Sequence, residues 1–429
     1  MKFSIYTLGC KVNQYESQAL ERELLRRGYE AGSFDERCDF YIVNTCTVTA
    51  VSDKKSRNLL RRARKTNPDA VIGVCGCYAQ VSPQDMEKLD VDVVGGTGQR
   101  GLFIDRMEEF LQNREKTILV DNALKRREFE VLAPGGLGDR TRAMLKVQDG
   151  CVNFCTYCII PYARGALRSL PLDTAVAQVK DLNAQGYREV VVTGIEISSW
   201  GLDLKTGQKP QDLIRTICEA APDMRVRLGS LEPRTVDQEF CRALRGFSNL
   251  CPQFHLSLQS GCDATLKRMH RKYDTARYLE SCRLLREYFP GCAITTDLIV
   301  GFPQETEEEF SATLEFVKTV GFAAMHIFPY SRRAGTPAAQ MAGQITTGEK
   351  ERRAARAGAV EEEMRQAYQA QWVGKTLPVL FEQQDAHGLW TGHAPNYVLV
   401  EAQGEHLRNQ ILDVKITGAT ERGLTGTIL

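Results

Sequence analysis

The chain has 429 residues, 43% of them hydrophobic, and a formal net charge of +1. That length predicts about two to three domains with real cores, and the composition excludes a disordered chain. Near-neutrality excludes a global field pulling the chain to nucleic acid or membrane, and no run of about 18 apolar residues exists to span a bilayer.

The N-terminal residues, Met1-Lys2-Phe3-Ser4-Ile5, run straight into a strand-like segment, with no apolar signal stretch or small-residue cleavage site. Fourteen cysteines in such a chain argue against a disulfide framework and for metal chemistry in a reducing cytoplasm. Residues 1–125 alternate strand and helix signals: Phe3 to Leu8, Asp39 to Val43, Ala70 to Val74 and a weaker Val91 to Val94, with helical patterns at Asn13 to Arg27 and Ser52 to Lys65. This reads as an open parallel α/β sheet with helices on its faces. Cys10, Cys46 and Cys77 each follow one of these strands. Ligands of open α/β sheets collect outside the carboxyl ends of the strands, so these three cysteines are expected to converge although distant in sequence. Cys75 competes with Cys77, because alternation along a strand points both the same way.

Residues 126–142, with Pro134-Gly135-Gly136-Leu137-Gly138, read as a linker. Beyond it, Cys151, Cys155 and Cys158 sit in Gly-Cys-Val-Asn-Phe-Cys-Thr-Tyr-Cys. A closed four-iron cluster takes four thiolates, and this loop supplies three, leaving one iron open to a small chelating ligand. A zinc loop or three unrelated core cysteines are the plainer readings. Residues 143–345 carry strand candidates at Met144 to Gln148, Val190 to Thr193, Val226 to Gly229, Phe254 to Leu258, Thr295 to Val300 and Met325 to Phe328, with helices between. Repeated β-α units predict a partial (β/α)6 barrel. Thr193, Gly194, Ser230, Glu232 and Gln259 lie at or near the strand ends, where barrel active sites form.

Residues 346–372 are charged and helix-prone, a helical connector. Residues 373–429 hold short strands at Thr376 to Phe381, Val398 to Glu401 and Gln410 to Thr417, which fit a small β-barrel. Cys38, Cys218, Cys241, Cys251, Cys262, Cys282 and Cys292 are expected to be ordinary core cysteines.

Several motifs together are similar to those of the radical S-adenosylmethionine (SAM) methylthiotransferases. They are Thr7-Leu8-Gly9-Cys10-Lys11-Val12-Asn13-Gln14-Tyr15-Glu16, Asn44-Thr45-Cys46-Thr47-Val48-Thr49, Gly76-Cys77-Tyr78-Ala79-Gln80, Gly150 to Pro161, Ser257-Leu258-Gln259-Ser260-Gly261 and Asp297-Leu298-Ile299-Val300-Gly301-Phe302-Pro303. The resemblance covers essentially the whole chain. It implies an N-terminal cluster domain over 1–125, a central radical SAM barrel and a C-terminal TRAM domain that binds RNA. It favours Cys77 over Cys75. Lys11-Val12-Asn13-Gln14 and Thr193-Gly194-Ile195 resemble most the MtaB-type branch, which acts on N6-threonylcarbamoyladenosine at position 37 of tRNA. Sister branches act on isopentenyladenosine in tRNA or on a ribosomal-protein aspartate. Arg168-Ser169-Leu170 stands where the family often has Arg-Ser-Arg, and Trp200 replaces a usual Tyr; both are expected to tune packing or substrate fit.

The resemblance implies two [4Fe-4S] clusters, one on Cys151, Cys155 and Cys158, the other on Cys10, Cys46 and Cys77, with SAM bound near Tyr157, Thr193, Gly194, Ser230, Glu232 and Gln259. An aromatic C2–H offers a side-chain acid or base little leverage, so a radical route is required. The resemblance implies that one electron from the Cys151, Cys155 and Cys158 cluster cleaves SAM, that the resulting 5′-deoxyadenosyl radical removes the hydrogen, that the second cluster supplies sulfur, and that another SAM supplies methyl. The implied partners are tRNA with adenosine at position 37 and an electron donor such as flavodoxin or ferredoxin; no stable protein partner is indicated. Lys54, Lys55, Arg57, Arg61, Arg62, Arg64 and Lys65 form an acid-free basic stretch on a predicted helix, either a phosphate-binding face or a solvated one. Trp390, His393 and Tyr397 are candidates for stacking on bases, with Trp390 equally placed to be barrel core. A non-catalytic iron–sulfur RNA-binding regulator is the alternative of another class, but it gives no reason for a barrel bearing a SAM-type loop.

Overall fold

The structure is a computed structural model describing residues 1–135 and 141–429; 136–140, the glycine-rich part of the expected linker, lie outside the described residues. Six strands, β1 (Lys2–Thr7), β2 (Glu30–Ala31), β3 (Phe40–Thr45), β4 (Val71–Gly76), β5 (Val93–Gly95) and β6 (Thr117–Leu119), form a parallel sheet in the order β2-β1-β3-β4-β5-β6. Strand alternation feeds two cores. Tyr41, Val43, Ile72 and Val74 meet Leu60 and Ala63 of the helix Ala50–Thr66 on one face. Phe40, Ile42, Val71 and Cys75 meet Leu20, Leu24, Phe103 and Met107 on the other. Because β2 and β3 flank β1 on opposite sides, the strand order reverses beside β1, the place where open sheets hold ligands.

The central region comprises β7 (Arg142–Asp149), β8 (Arg168–Ser169), β9 (Glu189–Gly194), β10 (Arg225–Leu228), β11 (Ser230–Leu231), β12 (Gln253–Leu256), β13 (Ala293–Val300) and β14 (Ala324–Pro329). They form two sheets, β10-β9-β7-β8 and β11-β12-β13-β14, all parallel except β8 against β7. The sheets share one apolar core, in which Leu145, Val192 and Leu228 join Phe254 and Ile294. The result is the expected open partial barrel with helices outside. The charged helix Thr347–Ala370 is anchored to it through Lys350 Nζ on the Tyr330 carbonyl at 2.9 Å and Arg353 on Glu305 at 2.7 Å.

Five C-terminal strands, β15 (Thr376–Gln384), β16 (Trp390–His393), β17 (Leu399–Ala402), β18 (Ile411–Ala419) and β19 (Leu424–Ile428), close into a barrel. The sequence pattern reveals β15, β17 and β18. The short Trp-Thr-Gly-His and Leu-Thr-Gly-Thr-Ile strands hide behind turn-like composition.

The linker segment is fastened where it is described. Tyr15 Oη donates to the Leu132 carbonyl at 2.7 Å, Arg22 to the Pro134 carbonyl at 2.7 Å and Gln178 to the Leu132 carbonyl at 2.9 Å. The C-terminal barrel docks through Arg225 on the Pro378 carbonyl (2.7 Å), Arg227 on the Pro395 carbonyl (2.9 Å) and Arg142 on Glu382 (2.7 Å).

Candidate active site between two cysteine trios

β1, β3 and β4 are neighbours in a parallel sheet, so their carboxyl ends share one edge, and the chain places a cysteine just past each. Cys10 caps the helix Lys11–Arg26 by position, its thiol making no capping bond; Cys46 follows β3, and Cys77 opens the helix Cys77–Val81. The three thiols lie within electrostatic reach of one another. The Gly9 backbone packs against Cys46, where an added Cβ would stand 2.8 Å from the Cys46 Cβ.

The expected alternation of Cys75 and Cys77 does not occur. Gly76 has φ +96, a conformation L side chains rarely adopt, and it ends the strand between them. Cys75 therefore points into the apolar core with Val71 and Phe103, while Cys77 turns toward Cys10 and Cys46. Burial pushes the Cys77 thiol up to about 12 against the opposing pull of Arg164.

The other trio is built locally. Gly150 has φ +79, and a Cβ there would fall 1.8 Å from the Ala166 carbonyl oxygen; this close approach lets the loop fold back on its own return strand. The Cys158 amide donates to the Cys155 carbonyl at 2.9 Å, curling the loop so that the three thiols face one region. Burial raises Cys151 and Cys158 to about 12. Arg271 donates to Cys155 Sγ at 3.2 Å and to Tyr273 Oη at 3.0 Å.

A cavity of about 270 Å³ opens beside Cys158. Val48 and Thr49, just past Cys46, line one side; Tyr157, Cys158, Gln259, Asp297, Tyr330 and Ser331 line others. Gln259 adopts φ +69 and is bridged to β13, which presents it beside Asp297. The domain contact beside the cavity is polar: Ser331 Oγ accepts from the Ala50 amide at 3.2 Å, and Arg333 pairs with Asp53 at 2.7 Å and donates to Thr47.

Of the other expected SAM contacts, Thr193 is buried at the end of β9, and Gly194 packs on the Gln148 backbone with no room for a Cβ. Ser230 is exposed, and Glu232 pairs with Arg234 at 2.9 Å. Sequence reasoning passed over Glu196, although an acid just past a barrel strand end is the signal that finds it. Its carboxylate caps Ser198, accepts from Asn153 at 3.3 Å and lies within electrostatic reach of Cys151. Burial, then the neighbouring Glu232, raises its carboxyl to about 7.

A second omission is a buried ionic network that reaches Cys77. Glu16 accepts from Arg100 at 2.6 Å, from Lys146 at 3.1 Å and from Arg164. Asp149 accepts from Lys146 at 3.1 Å and pairs with Arg168 at 3.3 Å. Arg164 Nε donates to Cys77 Sγ at 3.3 Å. The available signal was Asn13 and Glu16, polar residues three apart on a helix face that packing should make apolar.

Other expectations change. Arg64 is held by Asp90 (3.1 Å), Asp92 (2.8 Å) and the Ala70 carbonyl (2.8 Å), so it braces the sheet edge and is not free for phosphate. Arg62 pairs with Asp35, and Arg57 donates to Tyr78 Oη at 2.9 Å. Lys54, Lys55, Arg61 and Lys65 stand exposed. Trp390 is core of the C-terminal barrel. Tyr397 stays 38% exposed while its ring stacks on His393 at 4.6 Å and lies against the Arg227 and Arg142 guanidinia at 4.6 and 5.4 Å, so it also joins the contact between the barrels. Leu170 and Trp200 meet: the Trp200 indole donates to the Leu170 carbonyl at 2.9 Å within the barrel core. The seven remaining cysteines are buried except Cys262, which is half-buried.

Among the described residues, no three His, Cys, Asp or Glu side chains close around a single metal ion. Two sets of three spaced thiols suit larger multi-iron bodies better, each with one iron lacking a protein ligand.

Residues 145–317 match the Radical SAM superfamily, and residues 2–96 match the family described as Uncharacterized protein family UPF0004. The chain is 39% identical to the threonylcarbamoyladenosine tRNA methylthiotransferase MtaB of Bacillus subtilis, over 97% of this chain and 94% of that one. It is 36% identical to the MtaB of Thermotoga maritima over 98% and 95%. It is also 34% identical to the tRNA-2-methylthio-N(6)-dimethylallyladenosine synthase of Symbiobacterium thermophilum over 99% and 94%. Among solved structures, the radical SAM methyltransferase TsrM of Kitasatospora setae, with cobalamin and a [4Fe-4S] cluster bound, shares the fold at TM-score 0.56 and 18% identity, over 79% of this chain and 74% of that one. Fold and site thus define a radical SAM enzyme. Within that class, the chain belongs to the radical SAM tRNA methylthiotransferase family. Its cofactors are SAM and [4Fe-4S] clusters.

Proposed function

We propose that this enzyme converts N6-threonylcarbamoyladenosine at position 37 of tRNA to its 2-methylthio derivative. The observation that supports the reading is the cavity lined at once by Cys158 and by Val48 and Thr49, the residues just past Cys46. In this reading Cys151, Cys155 and Cys158 hold the cluster that meets SAM, and Cys10, Cys46 and Cys77 hold the other. When bound, the clusters and SAM supply the electron, radical, sulfur and methyl chemistry that side chains cannot. The chain's own residues do the binding. Glu196 offers a carboxylate beside Cys151 to the ammonium group of SAM, Tyr157 offers a ring to its adenine, and Gln259 and Asp297 offer polar atoms to the substrate base. Ile299, Phe328 and Pro329 give the cavity an apolar side.

Lys54, Lys55, Arg61 and Lys65 are the basic footprint for tRNA phosphates, assisted by the TRAM-like barrel over 373–429. An electron donor such as flavodoxin or ferredoxin serves the cluster from the cytoplasm. Among the described residues no helix is long and apolar enough to cross a membrane. Mass spectrometry of tRNA nucleosides from cells with and without the chain tests the substrate. Loss of the 2-methylthio nucleoside with its unthiolated parent accumulating is the expected result. An unchanged profile overturns tRNA as substrate and points to the ribosomal-protein branch, whereas loss of the isopentenyl derivative keeps the chemistry and replaces the nucleoside.

A further inference from the structure

Each trio has one guanidinium on one of its sulfurs, but the two contacts differ in origin. Arg271 reaches Cys155 within its own barrel. Arg164 belongs to the helix Ile160–Arg164, which leaves the Cys151–Cys158 loop, yet its side chain crosses to the other domain. There Nε donates to Cys77 Sγ at 3.3 Å, one terminal nitrogen to Asn13 Oδ1 at 2.6 Å and the other to Glu16. Around that contact lie four buried cations, Arg100, Lys146, Arg164 and Arg168, and the buried carboxylates Glu16 and Asp149. Glu130 acts on Arg100 and accepts its backbone amide at 2.6 Å, and Asp121 acts on Arg168.

We infer that Arg164 is a positioning residue for the N-terminal cluster: its hydrogen bond to Cys77 Sγ raises that cluster's reduction potential and fixes the register of the two trios. The inference rests on the reading of Cys10, Cys46 and Cys77 as cluster ligands. A hydrogen bond to a ligating sulfur stabilises the reduced, more negative cluster, so removing it lowers the potential. The same side chain is a strut, because the helix Ile160–Arg164 follows Cys158 by two residues.

The test is an anaerobic redox titration followed by electron paramagnetic resonance, in protein carrying Cys151→Ala, Cys155→Ala and Cys158→Ala so that only the N-terminal cluster is loaded. In that background Arg164→Gln lowers the midpoint enough to change the reduced-to-oxidised ratio at least tenfold, about 59 mV for a one-electron couple. Arg164→Lys, which keeps the charge and loses the fork, gives a smaller fall. Arg168→Gln, which removes a buried cation that touches no sulfur, also gives a smaller fall than Arg164→Gln. An iron-replete Arg164→Gln protein with the parental potential, or a shift matched by Arg168→Gln, overturns the inference. Where Arg164→Gln takes up no iron, Arg164→Lys decides, and an unmoved potential there overturns it equally. A background protein that binds no cluster removes the ligand reading itself, and the inference with it.

Discussion

The two cysteine trios arrive at the same arrangement by opposite routes. Cys151, Cys155 and Cys158 are gathered by one short loop, and their convergence is local information. Cys10, Cys46 and Cys77 are gathered by a sheet, each at the end of a different parallel strand, and their convergence exists only once β1, β3 and β4 have paired. The first trio depends on loop geometry, held by Gly150. The second depends on sheet register and on Gly76, which ends β4 between Cys75 and Cys77. The difference separates the chemistry each trio supports and predicts different sensitivities to mutation.

The largest effect breaks that chemistry apart. Cys155→Ala abolishes SAM cleavage and product together. Cys77→Ala keeps SAM cleavage, measured as 5′-deoxyadenosine by liquid chromatography, and loses the methylthio nucleoside. Cys75→Ala keeps both activities, since its side chain lies in the apolar core with Val71 and Phe103. Full product formation by Cys77→Ala, or its loss in Cys75→Ala, would reverse the assignment.

Next in size is the ionic bridge between the regions. Glu16→Gln strips a carboxylate from Arg100, Lys146 and Arg164 and leaves buried cations uncompensated. Breaking a buried pair in this way costs about 3–5 kcal/mol, to be read from chemical denaturation. The effect carries a pH signature. Burial alone raises the carboxyl groups of Glu16 and Asp149, but the surrounding cations outweigh it and hold both below the usual carboxylate range. A depressed folded-state pKa contributes stability that is complete above about pH 5 and lost as pH falls through and below about 4. The gap between parent and Glu16→Gln is therefore constant from pH 7 to about 5 and narrows as pH falls below about 4. A gap still constant below about pH 4 would show that Glu16 is not ionised in the folded protein.

Smaller again is Gly76→Ala. The residue has φ +96, and its new Cβ would lie 2.5 Å from both Asn44 Oδ1 and the Thr45 carbonyl oxygen. With ψ −168 this backbone is one that essentially only glycine adopts; it alone costs an L residue about 1–3 kcal/mol, and the clash adds to it. The expected result is loss of about half the bound iron, one four-iron cluster of two, with SAM cleavage retained. Equal losses of iron from both sites would mean that the trios are not independently built.

The same contrast explains what sequence discloses. The loop trio was legible because its ligands are neighbours, and the strand-end trio because alternation of strand and helix already implies a parallel sheet. The six strands of the partial barrel were legible for the same reason, each falling within a few residues of its expected place. The choice between Cys75 and Cys77 was not legible from alternation, since it turns on one glycine's backbone angle. Arg164 was not legible as a bridge, because its partners Asn13, Glu16 and Cys77 belong to another domain. Tyr397 and His393 were expected to stack on RNA bases, and the barrel also sets Tyr397 against Arg142 and Arg227. Aromatic character is visible in a sequence, whereas the partner of an aromatic ring is set by domain docking.

The smallest predicted effect concerns the surface beside the strand-built trio. Of seven basic residues on the helix Ala50–Thr66, the fold occupies Arg57, Arg62 and Arg64 with Tyr78, Asp35 and the Asp90–Asp92 edge. Lys54, Lys55, Arg61 and Lys65 stay exposed, Lys54 and Lys55 next to the domain contact at Ala50 and Asp53. If that face meets phosphates, each lysine removed by Lys→Gln substitution at 54 or 55 lowers the slope of log affinity against log salt by about 0.7–0.9, with little change in preference among tRNAs. Arg64→Gln instead lowers folding stability and leaves the slope in place, because its guanidinium is already spent on the sheet edge. A slope unmoved by Lys54→Gln and Lys55→Gln together would assign this helix face to solvent and shift the electrostatic contact to the C-terminal barrel. That barrel's own excess of acids, six against four basic residues, makes it the weaker site for phosphates.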